Sequence, residues 1–358
     1  MDKEELEAQI SYYATKYYEG NPEIADAQFD MLVDKLRSID PNSNILKTGW
    51  GFEVIGDKVK HKYSHIGSLD KTKCFADIPE RFKNVTVYVS PKLDGLSAVV
   101  YYENGKLVRA ITRGNGEYGK DITNKIAKII GTEIFDKKFT GAVRGELIIN
   151  DKNWELLQNK YSDLISSRNF AAGIINRKEL DEDVSYIDLV VYKVVGHETN
   201  IPFKERSDML LWLQTNFKHC IPIEFFPVLN ESCWEEQHEK QFEQFKKLGY
   251  ALDGLVLSSS NLLYDNMNQC YLYNEVAFKF QAETATTIVK EIKWELSRTQ
   301  RLVPIAIIEP VELSGAIVRR ATCNNAKWIL NMNIERGCIV EIVRSGEIIP
   351  QILRRVDI

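Results

Sequence analysis

Hydrophobic periodicity changes twice along this chain of 358 residues, and those changes limit the folds open to it. Up to about residue 60, Leu6, Ile10, Tyr13 and Tyr17 recur at helical spacing and predict one apolar helix face. Gly20-Asn21-Pro22 breaks that helix. Asp26 is placed to cap a second one, with Phe29, Leu32, Val33 and Leu36 as its stripe and Asp40-Pro41-Asn42-Ser43 as its end. From 61 to 283 the pattern turns to short β-rich runs at 85–89, 98–102, 107–112, 147–149, 189–195 and 255–257, with helical stretches at 154–158 and 233–248. Glu103-Asn104-Gly105-Lys106 carries a hairpin signature. Strands and helices do not alternate regularly, so the expected class is α+β with largely antiparallel sheets, not a doubly wound sheet. From 284 onward, β-rich runs at 288–294, 306–308, 316–319, 339–344 and 348–356 follow at short intervals, with Ser345-Gly346-Glu347 as a turn candidate. About five short strands in such a length suggest a small barrel of the OB type. Three segments result: 1–60, 61–283 and 284–358.

The bulk properties narrow the functional classes. No apolar stretch approaches a transmembrane helix in length. Met1-Asp2-Lys3-Glu4-Glu5 lacks the basic and apolar regions of a secretory signal, so a cytoplasmic location is expected. Cys74, Cys220, Cys233, Cys270, Cys323 and Cys338 include no Cys-x-x-Cys pair, which leaves a structural zinc site without support and favours scattered reduced thiols. The net charge of −5 argues against a nucleic-acid partner until it is divided. Residues 284–358 hold eleven Lys/Arg against eight Asp/Glu, a net of +3, which leaves −8 on the remainder. A mildly basic end on an acidic body suits local contact with phosphates, and equally a solvated surface.

Chemistry concentrates around Ser90-Pro91-Lys92-Leu93-Asp94-Gly95. A lysine nucleophile must shed its proton and needs cations nearby to take charge from the phosphate under attack. Lys-x-Asp-Gly alone is a short string that occurs by chance. Its company is ordered along the chain. Thr112-Arg113-Gly114-Asn115-Gly116, Val143-Arg144-Gly145-Glu146 and Ser167-Arg168-Asn169-Phe170 follow, then Val191-Tyr192, Leu252-Asp253-Gly254-Leu255-Val256 and Val276-Ala277-Phe278-Lys279-Phe280. Ser297-Arg298-Thr299, Glu309-Pro310-Val311-Glu312, Arg320-Ala321-Thr322 and Arg344-Ser345-Gly346-Glu347 complete the series. This succession resembles the nucleotidyltransferase motifs of the bacterial-type NAD+-dependent DNA ligases.

The resemblance implies a helical NMN-binding module at 1–60, an ATP-grasp-like nucleotidyltransferase (adenylation) domain at 61–283 and an OB-fold at 284–358. It implies that Lys92 takes AMP from NAD+ with release of nicotinamide mononucleotide, passes it to the 5′-phosphate of a nick, and that the 3′-hydroxyl then seals the strand. Tyr17, Tyr18, Asp26, Phe29 and Asp30 would bind the nicotinamide half, where a ring can stack and a carboxylate can pair with the cationic ring. From spacing alone Tyr17 and Phe29 are helix-face core residues. Ser68 and Leu69 would line the adenine pocket, with Tyr192 stacked on the base, Ser90 at the position that meets the adenine amine and Val256 among the cofactor-binding residues. Glu146 would hold the ribose, and Arg113 and Arg168 would contact ribose or phosphate. Lys279 would steady the phosphate. Asp94 and Asp253 would act electrostatically, and as oxygen ligands of Mg2+; apart from the resemblance, Asp-Gly is an ordinary turn dipeptide. Arg298 and Arg344 are expected on the DNA backbone, with Arg319 and Arg320 as further candidates or merely solvated barrel residues.

Departures from the family pattern point to a divergent member. Ser90 stands where glutamate is usual, and Ser258 where lysine is usual. Asn115 and Lys120 replace two acids, Tyr18 a histidine and Phe29 a tyrosine. The family continues past the barrel into zinc-finger, helix-hairpin-helix and BRCT regions, so either this chain is part of a longer one or a second polypeptide supplies them, as in a two-subunit phage ligase. The alternative to an enzyme is a non-catalytic DNA-binding or assembly subunit that keeps the fold.

Overall fold

The computed structural model describes residues 2–18, 23–24, 26–47, 58–64, 66–161, 164, 166–198, 203–264, 269–270, 274–280, 284–296, 302–313, 316–323, 325–345 and 349–356, excluding some side chains within them. In chain order, the helical start is α1 (Lys3–Tyr18), α2 (Asp26–Ile39) and α3 (Asn44–Lys47). The middle holds β1 (Lys58–Lys60), β2 (Lys71–Thr72), β3 (Val87–Leu93), β4 (Leu96–Glu103), β5 (Lys106–Thr112), β6 (Tyr118–Lys120) and α4 (Thr123–Ile130). It continues through β7 (Gly141–Ile148), α5 (Asp151–Lys160), α6 (Ser167–Asn176), β8 (Asp188–His197), α7 (Arg206–Asn216), β9 (Glu224–Phe226), α8 (Glu231–Lys246), β10 (Leu252–Ser259) and β11 (Glu275–Phe278). The end is β12 (Thr284–Leu296), β13 (Leu302–Leu313), β14 (Ala316–Thr322), α9 (Ala326–Asn331), β15 (Ile339–Ser345) and β16 (Ile349–Arg355). The class is α+β, as the irregular alternation predicts.

Two compact units divide the chain: residues 18–20 with 48–280, and the N-terminal helices with residues 281–358. The larger unit is built on two antiparallel-rich sheets. One has the order β2-β11-β10-β3-β9 and the other β5-β4-β7-β8. The hairpin expected at Asn104-Gly105 joins β4 to β5, with both turn residues at positive φ (51° and 72°), as a two-residue hairpin turn requires. Each sheet packs one face against helices, and the four-stranded sheet also buries Val99, Tyr101, Ile111, Ala142 and Val195 on its other face, with Tyr63 and Ile66. Val87, Val89, Leu255, Leu257, Val276 and Phe278 pack with Trp234 and Phe245 of α8. Ala98, Val100, Val143, Leu147, Val191 and Val194 pack with helices α4, α6 and α7. Side chains alternate along a strand. The opposite faces therefore carry Ser90, Lys92, Val256 and Ser258 from one sheet, and Ser97, Arg144 and Glu146 from the other.

In the smaller unit, β12-β13-β14-β16-β15 closes into a barrel. Its core includes Val289, Ala306, Ile308, Val340, Ile342 and Ile352, with Trp328 of α9 at one end. The strands run longer than the β-rich runs suggest: β12 spans thirteen residues, because its outer positions are polar and carry no hydrophobic signal. In α1 the buried stripe is Leu6, Ile10 and Ala14, with Tyr13 and Tyr17 only half-buried. In α2 it is Val33 and Leu36. The Gln28 side-chain amide, buried on α2, donates to the Ile352 carbonyl of the barrel at 3.0 Å.

Candidate active site

Lys92 lies near the end of β3, which runs four residues beyond the C-terminal end of the apolar run 85–89. Leu93 is buried and ends the strand; Asp94 then donates its backbone N–H to the Ala251 carbonyl. Gly95 follows because nothing larger fits. A Cβ there would sit 2.5 Å from the Leu147 carbonyl and 2.8 Å from Glu146 Cγ. The Lys-x-Asp-Gly string is thus a strand end pressed against β7, and its glycine brings Glu146 close to Lys92. Gly254 has the same cause on the neighbouring strand: at φ +150°, a Cβ would meet the Phe278 carbonyl at 2.1 Å.

That close packing of β10 between β3 and β11 sets the centre of the site. Lys92 Nζ donates to Asp253 Oδ1 at 2.6 Å and Oδ2 at 2.8 Å. Lys279 Nζ stands 3.5 Å from the same carboxylate. All three side chains are at most about a quarter exposed (24%, 18% and 14%), so water screens these charges only partly. Burial alone would raise the Asp253 carboxyl. Lys92 and Lys279 together overcome that and hold it below its ordinary value, so Asp253 is an anion at neutral pH.

A second pair flanks it. Arg168, in the first turn of α6, donates to Asp94. Ser166 caps that helix by accepting from the Asn169 N–H, which fixes the direction in which Arg168 leaves. On β7, burial pushes the Glu146 carboxyl above its ordinary value, while Arg168, Arg144, Lys92 and Arg113 pull it back. The Tyr192 hydroxyl donates to Glu146 Oε2 at 3.3 Å and pairs with Ser97 Oγ at 3.1 Å. Burial keeps this phenol protonated, its pKa pushed up to about 12.

Arg113 Nη1 donates to Ser68 Oγ at 2.9 Å, which ties the segment before β2 to the end of β5. Asn115 turns the arginine loop: its side-chain oxygen accepts from the N–H groups of Glu117 and Tyr118, at 3.0 and 2.8 Å. An amide does this without adding a negative charge beside the cationic cluster.

The structure therefore gathers Lys92, Asp94, Arg113, Glu146, Arg168, Tyr192, Asp253 and Lys279 in one unit through contacts or charge interactions. Ser68 joins through Arg113, and Leu69 adjoins it half-buried. Ser90 and Val256 lie directly opposite one another, Ser90 being buried and Val256 half-buried. Arg144 lacked a role in the sequence reading. Its Nε donates to Ser97 Oγ at 3.0 Å, its Nη1 donates to the Gly67 carbonyl at 3.1 Å, and its guanidinium lies 6.0 Å from the Tyr192 ring. The signal for it was its place two residues before Glu146, on the same face of a strand.

Other expected residues belong to the smaller unit or lie outside the described residues. Tyr17, Phe29 and Asp30 lie on α1 and α2 of the smaller unit, and the side chains of Tyr18 and Asp26 are outside the described residues. Arg298 and the Arg344 side chain are likewise outside them, whereas Arg319 and Arg320 are exposed on β14 and Arg320 pairs with Glu295 at 2.6 Å.

No group of three or more His, Cys, Asp or Glu able to hold a metal occurs among the described residues. Asp94 and Asp253 are two hard-oxygen donors already neutralised by Arg168, Lys92 and Lys279. Such a set does not make a cage of its own, but it fits an Mg2+ ion carried largely by substrate phosphates.

The family model described as the NAD-dependent DNA ligase adenylation domain matches residues 69–283, and the model for the OB-fold domain of the same ligases matches 286–357. A DNA ligase of Treponema denticola is 31% identical over 377 aligned positions, covering 97% of this chain and 56% of the relative. A DNA ligase of a Wolbachia endosymbiont of Brugia malayi is 32% identical and covers 98% and 53%. That of Acanthamoeba polyphaga mimivirus is 31% identical and covers 98% and 54%. The chain spans about half the length of the curated relatives it matches.

Among solved structures, a Lig E DNA ligase is similar at a TM-score of 0.40 and 15% identity, covering 81% of this chain and 99% of that one. A mycobacterial DNA ligase D complexed with ATP is similar at 0.36 and 12%, covering 80% and 95%. The expected donor, NAD+ yielding lysyl-AMP with release of nicotinamide mononucleotide, is corrected at this point to a nucleotide whose leaving group is unassigned. Two of the five side chains expected to hold the nicotinamide half, those of Tyr18 and Asp26, fall outside the described residues. Among the described residues, no helix is long and apolar enough to cross a membrane.

Proposed function

Because the chain belongs to the NAD-dependent DNA ligase family by its adenylation and OB-fold domains, we propose that it is a polynucleotide ligase that carries a nucleotidyl group on Lys92 and delivers it to a nicked strand. The observation that carries this reading is the Lys92–Asp253–Lys279 cluster: one amine at a strand end, one carboxylate against it and a second amine on the same carboxylate. Lys92 Nζ attacks the α-phosphorus of the bound nucleotide. A P–N bond forms as the bond to the leaving phosphate breaks. The 5′-phosphate of the nick then takes the nucleotidyl group from Lys92, and the adjacent 3′-hydroxyl displaces the nucleoside monophosphate as the phosphodiester forms.

The other residues bind and orient. Tyr192 offers a ring face to the base, with Arg144 and the hydroxyl contacts to Glu146 and Ser97 restricting its rotation. Glu146 accepts from ribose hydroxyls. Arg113, Arg168 and Lys279 take charge from the phosphate, a positioning and electrostatic role of the kind that dominates phosphoryl transfer. Asp253 aligns the amine of Lys92 and accepts its proton's hydrogen bond. Asp94 and Asp253 are the residues that would hold an Mg2+ ion, which would supply charge neutralisation at the reacting phosphate. The barrel contributes contacts to the sugar–phosphate backbone, Arg319 and Arg320 among them, which need no base specificity.

The test is self-labelling. The chain is incubated with Mg2+ and with NAD+ or ATP, each labelled in the adenylate, and resolved under denaturing conditions. Covalent label on the wild type and none on Lys92→Ala is the expected result; the labelling donor also assigns the leaving group. No label from either donor, or label that survives Lys92→Ala, overturns the proposal and leaves a non-catalytic subunit. Sealing of a nicked duplex, with and without a candidate partner polypeptide, then tests the remaining steps.

A further inference from the structure

One buried charged cluster takes part in no step above. Lys193 on β8 and Glu275 on β11 pair at 2.6 Å (Nζ to Oε2), and Arg206 at the start of α7 donates to the other oxygen, Oε1. Their side chains are only 2%, 5% and 2% exposed. The pair crosses from one sheet to the other, since β8 belongs to the four-stranded sheet and β11 to the five-stranded one. Each end of the bridge adjoins the site. Lys193 follows Tyr192 directly, and Glu275 begins the strand that ends beside Lys279. Glu275 sits directly opposite Ser258 on β10, two residues beyond Val256 and on the same face. Ser258 is buried, and its hydroxyl and two nitrogens of Arg206 have no hydrogen-bond partner among the described residues.

Such a cluster is a poor way to gain stability. Charges taken from water cost several kcal/mol each, and well-packed apolar residues often do as well or better. Ionic groups retained in that setting call for a reason other than stability. A salt bridge has what an apolar contact lacks: a fixed length and direction. Here it is set between the strand that carries the base-stacking ring and the strand that leads to the phosphate-binding lysine.

We propose that Lys193, Glu275 and Arg206 are positioning residues that fix the separation of the two sheets, and with it the register between Tyr192 and Lys279 across the bound nucleotide. The inference rests on the nucleotidyl-transfer reading of the site. If the bridge slackens, the base and the phosphate no longer reach their partners together. Nucleotide binding suffers first, and the folded state need not.

The experiment uses the full chain and whichever adenylate-labelled nucleotide, NAD+ or ATP, labels the wild type. In the triple variant Lys193→Met, Arg206→Met, Glu275→Leu, the melting temperature should stay within a few degrees of the wild type. Its KM for the nucleotide in Lys92 labelling should rise at least tenfold. A purely structural role would instead lower the active fraction, so that labelling amplitude falls at unchanged KM. Lys193→Arg, which keeps the charge and a donor to Glu275, should recover most of the nucleotide affinity relative to Lys193→Met. A folded triple variant with wild-type KM overturns the proposal. Should the triple variant not fold, Glu275→Gln is measured in the same way, and an unchanged KM in its folded fraction is equally decisive. Failure of the wild type itself to label concerns the proposed function, not the bridge.

Discussion

Glu275→Gln makes the energetics of the buried cluster measurable. With Lys193 and Arg206 both on it, the Glu275 carboxyl falls from an ordinary 4.5 to about 2, the two cations outweighing a burial effect that acts upward. Each tenfold change in proton affinity is worth about 1.4 kcal/mol, so the displacement corresponds to about 3 kcal/mol of folded-state stability at neutral pH. Removing one partner of a buried pair costs about 3–5 kcal/mol, which agrees. The sign follows from linkage. A carboxyl whose folded pKa is depressed stabilises fully above its unfolded value, and that contribution drains away as pH falls through the folded one. Wild type and variant should therefore differ by about 3 kcal/mol at pH 7. They should converge between pH 4.5 and about 2, where a protonated glutamate and a glutamine become alike. Urea unfolding of both proteins at a series of pH values, followed by tryptophan fluorescence, gives the difference directly, and titration of the other carboxylates cancels in it. A difference that stays constant from pH 7 to 2.5, or stays below 1 kcal/mol throughout, refutes the argument.

Three further outcomes follow from the geometry. Asp253→Asn removes the carboxylate shared by Lys92 and Lys279; at about 1.5–3 kcal/mol for a charge-assisted hydrogen bond, the single-turnover rate of Lys92 labelling should fall roughly tenfold to a hundredfold, and a wild-type rate would remove Asp253 from the site. Gly95→Ala places a Cβ 2.5 Å from the Leu147 carbonyl, so β7 must shift; a cost of about 1–3 kcal/mol in unfolding free energy is expected, together with slower labelling, whereas a neutral effect would mean the strands are not held this closely. Gln28→Leu strands the buried Ile352 carbonyl that the glutamine amide now satisfies, which should cost about 1–3 kcal/mol; an unchanged melting curve would show that α2 is not held to the barrel by this bond.

Much of the fold is local in origin and so was legible early. Asn104-Gly105 predicted its hairpin because both residues tolerate positive φ. The closely spaced β-rich runs after residue 284 predicted a barrel, although β12 and β13 extend well past their apolar cores. The stripe of α1 was misjudged by one position, since Ala14 is buried where Tyr13 and Tyr17 stay half-exposed. Alanine contributes little to a hydrophobicity pattern, yet it permits the closest helix packing.

The site divides along the same line. Its membership was carried by residue types in a fixed order: Lys92, Asp94, Glu146, Tyr192, Asp253 and Lys279 all fall in one unit. The donor was beyond what that order decides, and the expected NAD+ is cut back to a nucleotide whose leaving group is unassigned. Pairing lay out of reach as well. Nothing in the sequence says that Asp253 serves two lysines while Asp94 serves an arginine, because Lys92 and Asp253 are separated by 161 positions and meet only when β3 and β10 pair. Lys193 and Glu275 lie 82 positions apart in the chain; the tertiary fold buries both against Arg206 and makes them one bridge between two sheets. The amino-acid sequence by itself determined the α+β class, the barrel and the residue types available for nucleotidyl transfer, since these depend on short-range periodicity and on chemistry written at single positions. Only the tertiary structure decided which charges neutralise one another, because a Coulomb interaction depends on distance and burial, and strands far apart in the chain supply both.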